Sequence, residues 1–351
     1  MINDKNLKQE GGEQSTNLQG QNVNIYNGIS YSDAKEIFND LFKSNFLQLK
    51  HDAADVAQQR AEEITGKFLD NLNTKSPESI KEFKEPAMQD ALFTAQKEFA
   101  KSGDSDLGDL LVDILVDRAQ TNKRNMLQLV LDESLKIAPS LTVEQLDTLS
   151  LNFLLIRTKS TGIRDSNDLA AMIKRDIEPF VNNLLSDNNT YNYLEFHRCG
   201  HVRTGGFGNL ENNLKKTYKG LFSKGISMEE IEKTLGEKNN FPSLIMPCLH
   251  NKSLYQISTI DDEVLDQEMG KLNVPDAQKL KFKQIFNKST MNATEVKNLL
   301  IKTNSCMKRV FKTWNNSRFK NFEVSSVGIA IAHANYRRRT GCTLDLSIWI
   351  N

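Results

Sequence analysis

The spacing of apolar and polar residues changes near residue 30. Between Gln14 and Tyr26 the only aliphatic residues are Leu18, Val23 and Ile25, and the run Asn-Val-Asn-Ile alternates with a period of two, which is typical of a strand. Such a strand buries too little apolar surface to be stable alone, whereas Asn and Gln side chains can form ladders when equivalent strands stack. We therefore interpret it as a strand that pairs with copies of itself. The alternative is a disordered polar tail.

A helical pattern follows. After Ser32 and Asp33, which are good N-cap residues, apolar side chains recur at helical spacing as far as Leu72. This pattern predicts one amphipathic helix of about ten turns. The stripe departs from a strict heptad, so a helical bundle is favoured over a coiled coil. The predicted oligomer interface comprises Leu18, Val23, Ile25, Ile37 and Leu41.

Helical spacing continues as far as residue 185, interrupted by prolines and by Gly103. A capping box at Thr142 and Gln145 opens a helix that is apolar nearly all round, and this helix is therefore predicted to be central. Another predicted helix carries four acids on one face. We interpret that face as solvated or salt-bridged, with a divalent-metal site as the alternative. The four acids are Asp106, Asp109, Asp113 and Asp117.

The region from 186 to 208 is rich in turn-forming and aromatic residues, and we interpret it as a linker or a short hairpin with strands at 193–196 and 201–203. The chain closes on a run from Thr343 to Ile350 in which apolar and polar residues alternate. That alternation predicts a terminal strand, for which residues 322–324 are the nearest candidate partner. The apolar face of this strand comprises Leu344, Leu346, Ile348 and Ile350.

Together these patterns predict a mainly α protein with a small β component, in which an N-terminal helical domain precedes a C-terminal α+β domain. A chain of 351 residues is long enough for such a division. The predicted segments are a polar leader with an oligomerisation strand over 1–31, a helical domain over 32–185, the linker or hairpin over 186–208, and a basic α+β domain over 209–351.

The formal net charge is zero, but the charges are unevenly distributed. Residues 271–351 hold 15 Lys and Arg against four acids, an excess of 11 positive charges that the rest of the chain balances. This asymmetry indicates contact with nucleic acid or another acidic partner, or else docking of the basic part on the acidic part. The arginines at 337–339 also suit the C-terminal dipole of a helix. The predicted nucleic-acid-binding residues are Lys308, Arg309, Lys312, Arg318, Lys320, Arg337, Arg338 and Arg339.

Candidate chemistry is sparse. The four cysteines are widely scattered, as is typical of reduced thiols in the cytoplasm. His197, Cys199 and His201 are of the types that bind zinc, but their spacing suits a turn-rich packing segment better than a structural zinc site. No catalytic motif, cofactor site or metal site is predicted. No apolar run reaches the ~20 residues needed to span a bilayer, and the N-terminus lacks the apolar core of a signal peptide, so we expect a cytoplasmic protein without membrane contact.

Three stretches carry a likeness to a known family. They are QSTNLQGQNVNIYNGISYSDAKEI near the start, GDLLVDILVDR, and the ending SSVGIAIAHANYRRRTG with LDLSIWI. They resemble a family of bacterial proteins known mainly by locus-tag names, and the likeness spans most of the chain. That family has no established activity, so the resemblance implies no catalytic residues. The Asn- and Gln-rich opening also resembles short strand segments at the front of some bacterial conflict and anti-phage proteins.

We therefore expect a non-enzymatic, self-assembling interaction protein of the bacterial cytosol, with anti-phage defence as its suggested setting. The expected partners are copies of the same chain and a second protein. The alternative is a nucleic-acid-binding regulator that acts through the basic C-terminal domain. A third hypothesis is an enzyme with a Cys/His or metal site in the middle segment, which no motif supports.

Overall fold

The computed structural model describes residues 30–45, 51–121, 123–236 and 241–350, so Leu18, Val23 and Ile25 lie outside the described residues. Helices dominate the described part and the strands are short, which confirms the prediction of a mainly α fold with a small β component. No described helix combines the length and the apolar character that a bilayer crossing would need. The helices are α1 (Tyr31–Asn45), α2 (His51–Lys75), α3 (Pro86–Ser102), α4 (Ser105–Gln120), α5 (Met126–Ile137), α6 (Val143–Arg157), α7 (Ser166–Met172), α8 (Glu178–Val181), α9 (Asn188–Phe196), α10 (Leu210–Thr217), α11 (Met228–Leu235), α12 (Asp262–Lys271), α13 (Asp276–Lys288), α14 (Ala293–Thr303), α15 (Met307–Asn316) and α16 (Ser326–Thr340). The strands are β1 (Gly200–Val202), β2 (Ile245–Pro247), β3 (Tyr255–Ile257) and β4 (Phe322–Val324).

The described strands form two antiparallel pairs. β1 pairs with β4, with Gly200 opposite Val324 and Val202 opposite Phe322. β2 pairs with β3, with Ile245 opposite Ile257. Because β4 runs directly into α16, the first pair places the start of α16 beside the end of α9.

The prediction of one long helix over 32–72 is wrong, since α1 and α2 pack side by side. The hydroxyl of Tyr31, at the start of α1, donates to Asp70 near the end of α2 at 3.1 Å, so the two helices run antiparallel. α1 buries Ala34, Phe38 and Phe42, a stripe with a spacing of four residues. An apolar stripe of this kind must pack against another surface. Here the antiparallel helix α2 can provide that surface, just as helices of a surrounding bundle could for a single long helix.

The main hydrophobic core is centred on α6 and α16. Residues 146–154 of α6 are all buried, as predicted for a helix that is apolar nearly all round, and residues 328–337 of α16 are buried as well. Within the described residues this core takes side chains from positions 34 to 350, so it draws on both predicted domains. A second, smaller core over 226–286 joins α11, α12, α13 and the β2–β3 pair.

α16 approaches the turn between α9 and β1 so closely that it requires glycine. A Cβ atom at Gly328 would lie 1.9 Å from the carbonyl oxygen of Cys199. Ser325 caps α16 by accepting a hydrogen bond from the backbone N–H of Gly328 at 3.1 Å. The hydroxyl of Ser325 also donates to the carbonyl of Arg198 at 2.6 Å. The first turn of α16 and the turn after α9 are therefore held as one unit.

The predicted hairpin in the middle of the chain is wrong. Residues 188–196 form the helix α9, and only residues 200–202 form a strand. Asp187 caps this helix by accepting from the backbone N–H of Thr190 at 2.9 Å. Tyr191 and Leu194 are both buried at a helical spacing of three. The aromatic residues that suggested a strand thus belong to an amphipathic helix.

The predicted terminal strand is also wrong. Residues 346–348 form a short 3₁₀ helix, because the carboxylate of Asp345 accepts from the backbone N–H and the hydroxyl of Ser347 at 3.0 and 2.7 Å. The imidazole Nε2 of His333 donates to the carbonyl of Leu344 at 2.8 Å. Side chains, rather than a neighbouring strand, therefore provide the hydrogen-bond partners of the backbone N–H of Ser347 and the carbonyl of Leu344.

The terminal segment is nevertheless packed on the main core. Leu346 and Ile350 are buried as expected, whereas Ile348 is 65% exposed. The indole N–H of Trp349 donates to the carbonyl of Arg157 at 2.9 Å. The segment thus covers the end of α6.

Candidate functional site

Arg337 on α16 is an internal residue rather than a surface cation. Its guanidinium binds the carboxylate of Asp117 through two hydrogen bonds of 2.8 and 3.1 Å, and its Nε lies 3.0 Å from an oxygen of Asp113. Only 9% of its side chain is exposed. Burial opposes the positive charge, but the two carboxylates outweigh burial and raise the pKa of Arg337. Arg337 therefore ties α16 to α4.

The two following arginines are also engaged within the chain. Arg338 binds Asp106 at 2.6 Å and donates to the side-chain oxygen of Asn335 at 3.0 Å. Arg339 donates to the carbonyl of Pro179 at 2.6 Å, and its guanidinium lies 3.4 Å from the buried carboxylate of Asp147. At these three positions, basic residues therefore do dock on acidic residues of the same chain. This was one of the two interpretations of the charge asymmetry.

The acidic face of α4 is paired with cations from two directions. Besides the contacts with α16, Lys67 lies 2.9 Å from Asp109 and Lys75 lies 3.4 Å from Asp113, and both lysines belong to α2. The interpretation of this face as salt-bridged is confirmed. In the part of the chain that the structure describes, no cluster of three or more His, Cys, Asp or Glu side chains is arranged to hold a metal ion.

Buried polar groups also join α16 to α6. The amide of Asn335 donates to Asp147 at 3.0 Å and to Ser150 at 2.9 Å, and all three residues are buried. The hydroxyl of Tyr336 donates to Asp176 at 2.8 Å, beside a cavity of about 240 Å³. Because these groups bond one another, this part of α16 fixes the position of the helix in the core.

The His197, Cys199 and His201 side chains have separate surroundings. The ring of His197 packs on Tyr193 with 4.4 Å between centroids. Cys199 is buried in the main core, and burial raises the pKa of its thiol to about 12. His201 is exposed and lies 3.6 Å from Glu323. The thiol of Cys199 is thus poorly suited to act as a nucleophile.

The basic residues outside α16 lie on an accessible surface, which we call the basic face. α15 is amphipathic, with Val310, Phe311 and Trp314 among its buried side chains and its basic residues exposed. Within the described part of the chain, no carboxylate pairs with any side chain of the basic face, which separates it from the arginines of α16. The basic face comprises the exposed Lys308, Arg309, Lys312 and Arg318 and the half-buried Lys320.

The partners that the basic face does have are neutral groups. The guanidinium of Arg309 donates to the carbonyl of Leu184 at 3.1 Å, and that of Arg318 donates to the side chain of Asn192 at 2.5 Å. Hydrogen bonds to neutral acceptors orient a guanidinium without cancelling its charge. The eight predicted nucleic-acid-binding residues therefore divide into five that remain accessible and three that are paired within the chain.

Beside the basic face, α9 ends in an exposed aromatic group that the sequence patterns did not indicate. Phe196 is 81% exposed and Tyr193 is partly exposed, and the ring of His197 lies between them, 5.1 Å from Phe196. We call these three residues the aromatic turn. The side chains of Asn192 and Phe196 are four residues apart and share one face of α9, so Arg318, which bonds Asn192, lies near the aromatic turn.

An unusual backbone conformation ends α9. Arg198 has a φ of +59°, in the left-handed region where glycine is the usual residue. The backbone N–H groups of Arg198 and Cys199 donate to the carbonyls of Glu195 and Leu194 at 2.9 and 2.8 Å, which is the Schellman arrangement. The Arg198 side chain is 78% exposed, with Glu133 at 3.3 Å. A glycine would have marked this turn in the sequence, but an arginine does not.

Of the predicted oligomer residues, the structure describes two. Ile37 on α1 is 37% exposed, and Leu41 is partly buried against the main core. Leu18, Val23 and Ile25 lie outside the described residues. Pairing of strands between subunits therefore stays a prediction.

Fold and surface together define a mainly α-helical protein with one core spanning most of its length and a basic surface on one side. A family model described only as "-like" matches residues 28–350, and the chain therefore belongs to that family. The description names no activity. Searches of curated proteins and of solved structures returned no match.

Proposed function

We propose that the protein binds nucleic acid through the basic face. The observation that carries this proposal is the contrast between two sets of cations in one basic region. The arginines of α16 bond carboxylates of the same chain, whereas Lys308, Lys312 and their neighbours have none. Lysine and arginine side chains left without intramolecular carboxylates are the groups that bind phosphates and release the counterions around them.

Arg337, Arg338 and Arg339 do not belong to the proposed binding surface. A phosphate could reach Arg337 only by displacing Asp113 and Asp117, which would leave Asp117 without its arginine and Asp113 with Lys75 as its remaining cation. That exchange is unfavourable in a largely buried site. The phosphate-binding role therefore falls to α15 and to the 3₁₀ turn that follows it.

A charge-reversal pair tests the proposal. The double variant K308E/K312E removes two phosphate contacts, so binding of a labelled oligonucleotide should weaken and the plot of log affinity against log salt should flatten by about 1.4–1.8. Fluorescence anisotropy at several salt concentrations measures both effects.

K279E/K283E on α13 is the matched control. It has the same charge change and the same spacing of four residues, but its lysines already pair with Asp276 and Asp266. An equal loss of affinity in the control would show that only net charge matters, and an unchanged salt slope in K308E/K312E would rule out the basic face.

We further propose that copies of the chain self-associate through α1 and the segment before it. The supporting observation is that Tyr31 and Ile37 on α1 are 38% and 37% exposed, directly after a segment with the polar strand pattern of Val23 and Ile25. Apolar residues exposed on a first helix favour burial against a second copy. A role in anti-phage defence stays a prediction that rests on the resemblance alone.

Deletion of residues 1–28 tests self-association. The shortened chain keeps Ser30, whose hydroxyl and backbone bond Asp33 at the start of α1, so its helix content should be retained while its mass falls. Light scattering of both chains at equal concentration measures this. I37E should also lower the mass, and L280E on α13 is the control because Leu280 is likewise exposed. Equal masses for all chains would contradict self-association by this route.

A further inference from the structure

The aromatic turn lies on α9, the helix whose Asn192 bonds Arg318 of the basic face. Two contacts connect α9, which carries the aromatic turn, to the turn that carries Arg318. Arg318 bonds Asn192 of α9, and the hydroxyls of Tyr191 and Ser317 lie 3.3 Å apart. The basic face and the aromatic turn therefore belong to adjoining parts of one surface.

The aromatic turn holds the ring of Phe196 exposed to solvent. Phe196 is 81% exposed, although a phenyl ring gains free energy from burial. Neighbouring side chains hold the Phe196 ring in place. The hydroxyl of Tyr193 donates to the carbonyl of Ser140 at 2.8 Å, and the His197 ring packs against both Tyr193 and Phe196. The left-handed turn at Arg198 ends the helix directly behind these rings.

Two cations lie near these rings. Arg198, which follows His197 in the chain, is 78% exposed and lies 3.3 Å from Glu133, and Arg318 bonds Asn192, four residues before Phe196. Of the carboxylates in this region, Glu133 lies near Arg198 and Glu323 binds Arg157 and Arg203, whereas the exposed Glu195 accepts a hydrogen bond from the backbone N–H of Val202 at 3.4 Å. An exposed aromatic ring beside a cation complements a nucleic-acid base with its phosphate, whereas a purely apolar partner would offer the guanidinium of Arg318 no anion.

We propose that the aromatic turn stacks on the bases of single-stranded nucleic acid whose phosphates bind the basic face. This deepens the proposed function and rests on it. A ring face can stack only on a base face that is free, and in a duplex the neighbouring base pairs cover both faces of each base. Phe196 should therefore favour single strands, while Lys308 and Lys312 should contribute to the binding of single strands and duplexes alike.

The test compares F196A with the native chain in binding a single strand of about twelve nucleotides and a duplex of the same sequence. F196A should weaken single-strand binding on the order of tenfold while leaving duplex affinity and the salt slope unchanged. F196W should keep single-strand affinity, because indole stacks at least as well as phenyl. L280A is the control, since Leu280 is also strongly exposed but lies on α13.

The outcomes separate the two proposals. Salt-dependent binding that is equally strong for both nucleic acids, or unaffected by F196A, overturns base stacking and leaves the basic face intact. An equal loss of single-strand and duplex affinity in F196A also overturns it. Absence of any salt-dependent binding by the native chain overturns both proposals. Because Phe196 is so exposed, F196A should unfold at the native temperature, and a matching melting curve verifies that the variant is folded.

Discussion

Single residues near the end of α16 show how burial and charge are balanced in this protein. Arg337, Asn335 and His333 are all buried, and each bonds a partner that lies on a different element or segment from its own helix. Side chains of this kind cost free energy to bury unless they are paired. The polar side chains near the end of α16 therefore fix the position of the helix and are a structural part of the core.

His333 predicts a pH dependence of stability. Burial lowers the pKa of His333 below its ordinary value of 6.5, although the carboxylate of Asp117 partly opposes this. The unfolded chain therefore takes up a proton at His333 more readily than the folded chain does, so this residue's contribution is present above pH 6.5 and is lost as the pH falls below it. Urea unfolding at pH 5 and pH 8 should show a smaller difference for H333Q than for the native chain. An equal difference in both chains would mean that other groups carry the effect.

Residue patterns predicted some local features and missed others for physical reasons. The capping box of Thr142 and Gln145 is present, with hydrogen bonds of 3.3 and 3.0 Å, because a cap depends only on neighbours in sequence. The aromatic turn was missed because Arg198 stands where a glycine would have indicated a left-handed residue. Nothing in the spacing of Tyr193 and Phe196 shows that their rings stay in water.

At the scale of elements, the errors share one cause, which is that periodicity does not identify the partner of an apolar face. The stripes of α1 and α2 fit a single long helix as well as a folded pair. The alternation from Leu344 to Ile350 fits a strand, but the Asp345 carboxylate captures the backbone N–H of Ser347 and turns the chain. Polar side chains that bond a nearby backbone compete with strand pairing in this way.

The terminal segment should be essential for stability even though it is not a strand. Truncation after Gly341 would expose the surface covered by Leu346 and Ile350, each worth ~1.5–3 kcal/mol, and would remove the contact of Trp349 with Phe153. The free energy of unfolding should fall by about 3–6 kcal/mol, a large part of the total for a typical domain. I348A is the control, because Ile348 on the same segment is exposed. A truncated chain with the native melting curve would contradict this role.

At the scale of the whole molecule, one basic region contains two sets of cations with different surroundings. Arg337 and Arg338 of α16 bind the acidic face of α4 and thereby join the C-terminal helix to the N-terminal part of the main core. The cations of α15 and the following turn remain available to a partner. Net charge and its distribution along the chain could not separate these sets, because the separation depends on which side chains the fold brings next to carboxylates.

We propose that the cations of α16 stabilise the fold and that those of α15 bind nucleic acid. The most direct measurement compares R337Q with K308Q/K312Q in both urea unfolding and binding of a labelled single-stranded oligonucleotide. R337Q should lose about 3 kcal/mol of stability, because it removes the buried guanidinium that Asp113 and Asp117 share, and should bind normally while folded. K308Q/K312Q should keep native stability and bind more weakly. The reverse pattern, with weakened binding in R337Q at native stability and unchanged binding in K308Q/K312Q, would contradict the claim.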